Sequence, residues 1–105
     1  MELYSTKIYD KWFERLKDKI GKSIIDAKLF KIKHSGNFGD HEIVAKNITE
    51  LKIHHGPGYR IYLTTKEDQV IILLIGGDKS TQARDIKKAE RMAASISMKE
   101  VRKWD

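Results

Sequence analysis

Five residues able to bind anions or move protons occupy alternate positions in two neighbouring stretches. Glu50, Lys52 and His54 lie within residues 49–54, and Arg60 and Tyr62 within residues 59–64. The positions between them are Leu51, Ile53, Tyr59, Ile61 and Leu63. Side chains alternate across a strand and the apolar set must share the buried face, so the polar set shares the other. The simplest register sets His54 opposite Arg60 and Lys52 opposite Tyr62. A carboxylate, a phenol, an imidazole and two permanent cations then lie within a few cross-strand spacings of about 5 Å. Such a set suits an anionic ligand, because the cations supply charge and the imidazole exchanges a proton near neutrality. On alternation alone it is first of all what the wet face of a half-buried sheet carries. Lys79 follows the apolar run Val70–Ile75 at the entry to a helical segment, where backbone N–H groups favour anions, and it can lean over the same face.

Other chemistries are excluded by spacing. Gly76-Gly77-Asp78-Lys79-Ser80-Thr81 ends like a phosphate-binding loop, but Asp78 stands where glycine must precede the lysine, and Ile71 and Ile72 occupy the upstream positions. His54 and His55 are adjacent in an extended segment and point to opposite faces, so they do not form a metal pair. The chain has no cysteine, which removes disulfides, thiolate metal sites and cysteine nucleophiles. No serine sits in a nucleophile elbow. Neither a metal nor another cofactor is expected.

The elements that must position these residues follow from periodicity. Ile8, Tyr9, Trp12, Phe13, Leu16 and Ile20 form a helical stripe over residues 6–19, with Ser5 or Thr6 as N-cap. Gly21 breaks the pattern, and a second helix runs from about residue 22 to Ser35 with Ile25, Leu29 and Ile32 on its apolar face. Phe30 falls off that face and is either a surface accident or a contact for a partner. Four strands follow, at Glu42–Ala45, Thr49–His54, Tyr59–Thr64 and Gln69–Ile75. Their short connections, His55-Gly56-Pro57-Gly58 among them, require antiparallel pairing. The fourth is apolar on both faces and belongs in the sheet centre. A closing helix begins near Ser80 or Thr81 with Ile86, Ala89, Ala93 and Ile96 as its stripe, and Ser97-Met98-Lys99-Glu100 has the form of a capping box opening a further short helix. The expectation is an α+β fold in which an N-terminal helical hairpin packs on a four-stranded antiparallel sheet with a C-terminal helix. One domain spans residues 1–105.

The 105 residues carry a net charge of +6, which favours polyanionic partners. The excess lies at the two helical ends: nine basic against five acidic residues over 1–35 and eight against four over 79–105, whereas the strands between carry four against six. Helix solvation and a phosphate-facing surface explain this equally well. With six residues in its longest apolar run and no apolar leader, the chain is expected to be soluble and cytoplasmic.

Four motifs in order carry a family resemblance: Gly36-Asn37-Phe38-Gly39-Asp40; Glu50-Leu51-Lys52-Ile53; Gly56-Pro57-Gly58-Tyr59-Arg60-Ile61-Tyr62; and Gly76-Gly77-Asp78-Lys79-Ser80-Thr81-Gln82 with Asp85, Ile86 and Ala89. In these the chain resembles the RelE/ParE superfamily of toxins, most closely its HigB-like addiction module killer proteins, from the first helix to about residue 96. The resemblance implies a RelE-like fold and a toxin of a type II toxin–antitoxin pair. Many relatives are ribosome-dependent messenger RNA endonucleases that use ribose 2′-OH attack, without a metal, to leave a 2′,3′-cyclic phosphate; the ParE-like branch instead poisons DNA gyrase. Carried onto this sequence, Arg60 clamps the scissile phosphate, Lys79 stabilises transition-state charge or protonates the leaving oxygen, Lys52 adds a cation and His54 is the candidate base. Arg60 and Lys79 are both expected to be exposed. Tyr62, Gln82, Lys28 and Lys31 are the candidate RNA contacts. The implied partners are a helix-turn-helix antitoxin, the ribosome and messenger RNA, with no membrane.

Overall fold

In the computed structural model, which describes residues 1–105, six strands and three helices follow one another. They are β1 (Glu2–Thr6), α1 (Lys7–Arg15), α2 (Lys19–Ser35), β2 (His41–Ala45), β3 (Ile48–Ile53), β4 (Tyr59–Lys66), β5 (Val70–Asp78), α3 (Gln82–Ser95) and β6 (Val101–Lys103). The strands form one sheet in the order β2-β3-β4-β5-β1-β6. From β2 to β5 it is the antiparallel meander that the short turns require. Beyond β5 it departs from a four-stranded antiparallel sheet. β1 pairs with β5 in parallel, and β6 closes antiparallel on β1, so the sheet is mixed and the chain opens with a strand. The α+β class stands. No helix is long and apolar enough to cross a membrane.

Local chemistry explains the element ends. Thr6 caps α1, its hydroxyl accepting from the Tyr9 N–H at 3.0 Å while donating to the Leu74 carbonyl at 2.7 Å. The break between helices falls at Leu16–Asp18, not at Gly21, because Asp18 caps α2 by accepting from the Gly21 N–H at 2.8 Å. Gly21 sits within the first turn of α2 for want of room: a Cβ there would lie 2.7 Å from the Tyr59 ring. The Ser97 capping box forms as expected but opens only a 3₁₀ turn, Met98–Glu100, before the chain extends into β6.

Both sheet faces are covered. Leu51, Ile53, Ile61, Leu63, Ile71 and Leu73 pack with Ile25, Leu29 and Ile32 of α2 and Tyr9 of α1. On the reverse face Ile48, Tyr62, Ile72 and Leu74 pack with Ala89 of α3. β5 therefore contributes to both layers and lies between β4 and β1, as its two-faced apolar run dictates. The parity expected for β3 and β4 holds, but the register is displaced by two residues: Lys52 faces Arg60 and Glu50 faces Tyr62. β3 ends at Ile53, leaving a five-residue connection His54–Gly58 in which Gly56 and Gly58 take positive φ, so His54 lies outside the ladder.

Candidate functional site

The β3–β4 connection and the β5–α3 junction meet at one end of the central strands. There a polar cleft of about 220 Å³ is lined by His54, His55, Arg60, Lys79 and the Gly56-Pro57-Gly58 loop. Asp78 ends β5 and caps the 3₁₀ turn Lys79–Thr81, accepting from the Ser80 N–H at 2.8 Å. That turn aims Lys79 back over the loop. Its own N–H donates to the Gly58 carbonyl at 3.1 Å. A Cβ at Gly58 would lie 3.1 Å from Lys79 Cγ and Cδ and 3.5 Å from Arg60 Nη1, so the two cationic side chains converge on that glycine.

Arg60 differs from expectation in its exposure. Its side chain is 5% exposed, on the sheet face that α3 covers at Tyr62 and that alternation alone leaves open. Nη1 donates to the Gly58 and Tyr59 carbonyls, each at 3.1 Å, and Nε lies 3.9 Å from Glu50 Oε1. Arg60 is thus a fixed charge in the cleft floor and not a free fork at the surface. Lys79 is exposed as expected. Tyr62 is wholly buried, which removes it as a platform for a base; its hydroxyl donates to Glu50 Oε2 at 2.9 Å. Burial, then that hydrogen bond, pushes its phenol far above the ordinary range. Gln82 is half-buried and donates to the same Oε2 at 2.7 Å, so its amide points to Glu50 instead of outward.

His54 is exposed and hydrogen-bonds through Nε2 to Asp40 Oδ2. That bond, more than the neighbouring charges, holds the Asp40 carboxyl below its usual range. His54 also borders a second groove of about 320 Å³ between α2 and β3, lined by Lys28, Lys31, Lys52, Asn37 and Ile24 among others. Lys28 donates to the Asp40 carbonyl at 3.3 Å, and burial lowers its ammonium pKa. Lys52 pairs with Glu42 at 3.3 Å and lines this groove, not the cleft. The structure therefore gathers Arg60, Lys79 and His54 at one site and sets Lys28, Lys31 and Lys52 beside it, with His54 shared. Tyr62 and Gln82 lie beneath.

Three carboxylates to which the sequence reading assigns no role complete the site. Glu50 sits under Arg60, Asp40 holds His54, and Asp18 lies 3.2 Å from His55 Nε2 while accepting from Tyr59 Oη at 2.9 Å. Only Glu50 carries a sequence signal, its shared face with Arg60. No three His, Asp or Glu side chains gather as metal ligands. The largest groove, about 460 Å³, lies elsewhere, between the start of α1, the end of α3 and β6.

A mixed sheet with both faces covered, carrying a polar cleft lined by Arg60 and Lys79 where its central strands end, defines a small α+β protein. The chain belongs to the phage-derived Gp49-like family, a toxin–antitoxin-related family of RelE-like proteins: the family model "Phage derived protein Gp49-like (DUF891)" matches residues 11–102, which include every cleft residue. A Haemophilus influenzae protein described only as uncharacterized is 40% identical over 98 residues, covering 93% of this chain and 98% of that protein.

Proposed function

We propose that this chain is the toxin of a type II toxin–antitoxin pair, of the HigB-like branch, and that it cleaves messenger RNA on the ribosome. The observation that carries this reading is the convergence of Arg60 and Lys79 on Gly58, with His54 at the same cleft. In-line attack of a ribose 2′-OH on the adjacent phosphate forms the P–O2′ bond and breaks the P–O5′ bond. The products are a 2′,3′-cyclic phosphate and a 5′-OH. The 2′-OH proton must be taken up, the leaving 5′ oxygen must gain one, and the phosphorane between them carries extra negative charge.

His54 is the base of this proposal. Asp40 occupies Nε2 and leaves Nδ1 for the substrate. Arg60 offers fixed positive charge from the cleft floor and Lys79, at the rim, supplies charge and a proton to the leaving oxygen. Lys28, Lys31 and Lys52 in the adjoining groove suit flanking phosphates. The chemistry needs no cofactor. An antitoxin, the ribosome and its messenger RNA are the partners this function entails, in the cytoplasm. Phe30, 65% exposed and tilted 40° against the His34 ring at 4.2 Å, is a candidate antitoxin contact.

The test is to induce the protein and map transcript 5′ ends beside a growth curve. New 5′-OH ends within coding regions, with growth arrest, are expected. Intact transcripts with DNA-damage signalling overturn the reading in favour of gyrase poisoning, and normal growth overturns toxicity altogether.

A further inference from the structure

Glu50 has no exposed surface, yet the cleft reading gives it no part in the reaction. Its Oε2 accepts from Tyr62 Oη at 2.9 Å and Gln82 Nε2 at 2.7 Å. Its Oε1 makes no hydrogen bond and faces Arg60 Nε, which makes none either, across 3.9 Å. That separation is an ion-pair distance but too long for a hydrogen bond. Removing a carboxylate and a guanidinium from water costs more than a loose contact returns, so stability is a poor explanation for the pair. A fixed charge, by contrast, is what stabilisation of a developing phosphorane requires, because a charge already oriented loses nothing to reorganisation during the reaction.

We propose that Glu50 is the positioning residue of the cleft. Its carboxylate holds the Arg60 guanidinium in the floor, with Nη1 on the Gly58 and Tyr59 carbonyls. Tyr62 and Gln82 occupy Oε2 and so keep Oε1 directed at Arg60. Gln82 begins α3, which makes the start of that helix part of the arrangement that fixes the cleft's buried charge. This role rests on the cleft being the RNA-cleaving site.

The test uses full-length Glu50→Gln, which keeps an acceptor for Tyr62 and Gln82 but removes the charge facing Arg60. Two quantities are followed: the Arg60 side-chain Nε–H resonance, assigned by its loss in Arg60→Lys, and kcat and KM separately for messenger RNA cleavage on ribosomes. In Glu50→Gln the Arg60 resonance is expected to shift and exchange faster with solvent while the backbone amide spectrum away from β3 and β4 persists. kcat should fall about thirtyfold with KM nearly unchanged, and Glu50→Asp should recover part of it. Should Glu50→Gln fail to fold, Gln82→Met, which deletes one donor to Glu50 from a half-buried position, must move the same resonance and lower kcat. An unmoved Arg60 resonance, or an unaltered kcat, in a cleaving enzyme overturns the positioning role alone. A native chain that cleaves no messenger RNA overturns the enzymatic reading instead, and the resonance still decides whether Glu50 holds Arg60.

Discussion

Lys79 and Arg60 hang from one carbonyl: the Gly58 oxygen accepts from the Lys79 backbone N–H at 3.1 Å and from Arg60 Nη1 at 3.1 Å. This shared acceptor ties the start of the turn after β5 to the residue before β4, and both side chains line the same cleft.

Gly58→Ala should disturb both cations at once. Its φ of +77° is strained for any residue with a Cβ, and that Cβ would crowd Lys79 at 3.1 Å. A loss of roughly 1–3 kcal/mol in urea unfolding is expected, with a larger proportional loss of RNA cleavage than of stability.

Gly77→Ala should be more damaging to the fold. A Cβ at Gly77 would lie 2.0 Å from Asp85 Oδ2 and 2.8 Å from Thr81 Oγ1, so α3 could not sit on the end of β5 without moving. Destabilisation of about 3 kcal/mol or more is expected by denaturant titration.

The tail holds the strand that opens the chain. Trp104 Nε1 donates to Ser5 Oγ at 2.9 Å, and Arg102 donates to Asp10 at 3.1 and 3.2 Å. Trp104→Phe keeps the packing but loses the donor, so a loss of about 1 kcal/mol is expected, with faster amide exchange confined to β6 and β1.

Acid should weaken the site's supports first. Asp18 is held below its usual range chiefly by the Gly21 N–H and then by Tyr59, and Asp40 chiefly by His54. A carboxyl depressed in the folded state adds stability above its unfolded pKa and loses it as pH falls through the folded value. The thermal midpoint should therefore fall below about pH 4, and Asp18→Asn with Asp40→Asn should flatten that decline. A midpoint with the same acid slope in the double variant would contradict these contacts.

Much of this arrangement is legible in the residues. The alternation of Leu51, Ile53, Ile61 and Leu63 dictates which face Glu50 and Arg60 share, and the run Ile71–Ile75 dictates a central strand. Alternation does not say whether the second face stays open. The stripe Ile86–Ala89–Ala93 marks a helix to be buried, but not that it covers the sheet face carrying Tyr62. β1 is hidden because Glu2–Thr6 runs into α1 without a break and pairs with residues 70–73, far along the chain. β6 has three residues and only Val101 as an apolar signal. The contacts Asp40–His54 and Asp18–His55 join loops and helix ends, where no period links the partners.

The most direct test of the central claim, that Lys79 and Arg60 act together on one RNA phosphate, is the cleavage rate of ribosome-bound messenger RNA by Lys79→Ala. Lys79 is exposed, so the thermal midpoint should stay at the native value. The account predicts a rate about a hundredfold lower or less, with the residual 5′ ends at the native positions. A Lys79→Ala protein that cleaves at the native rate would contradict it.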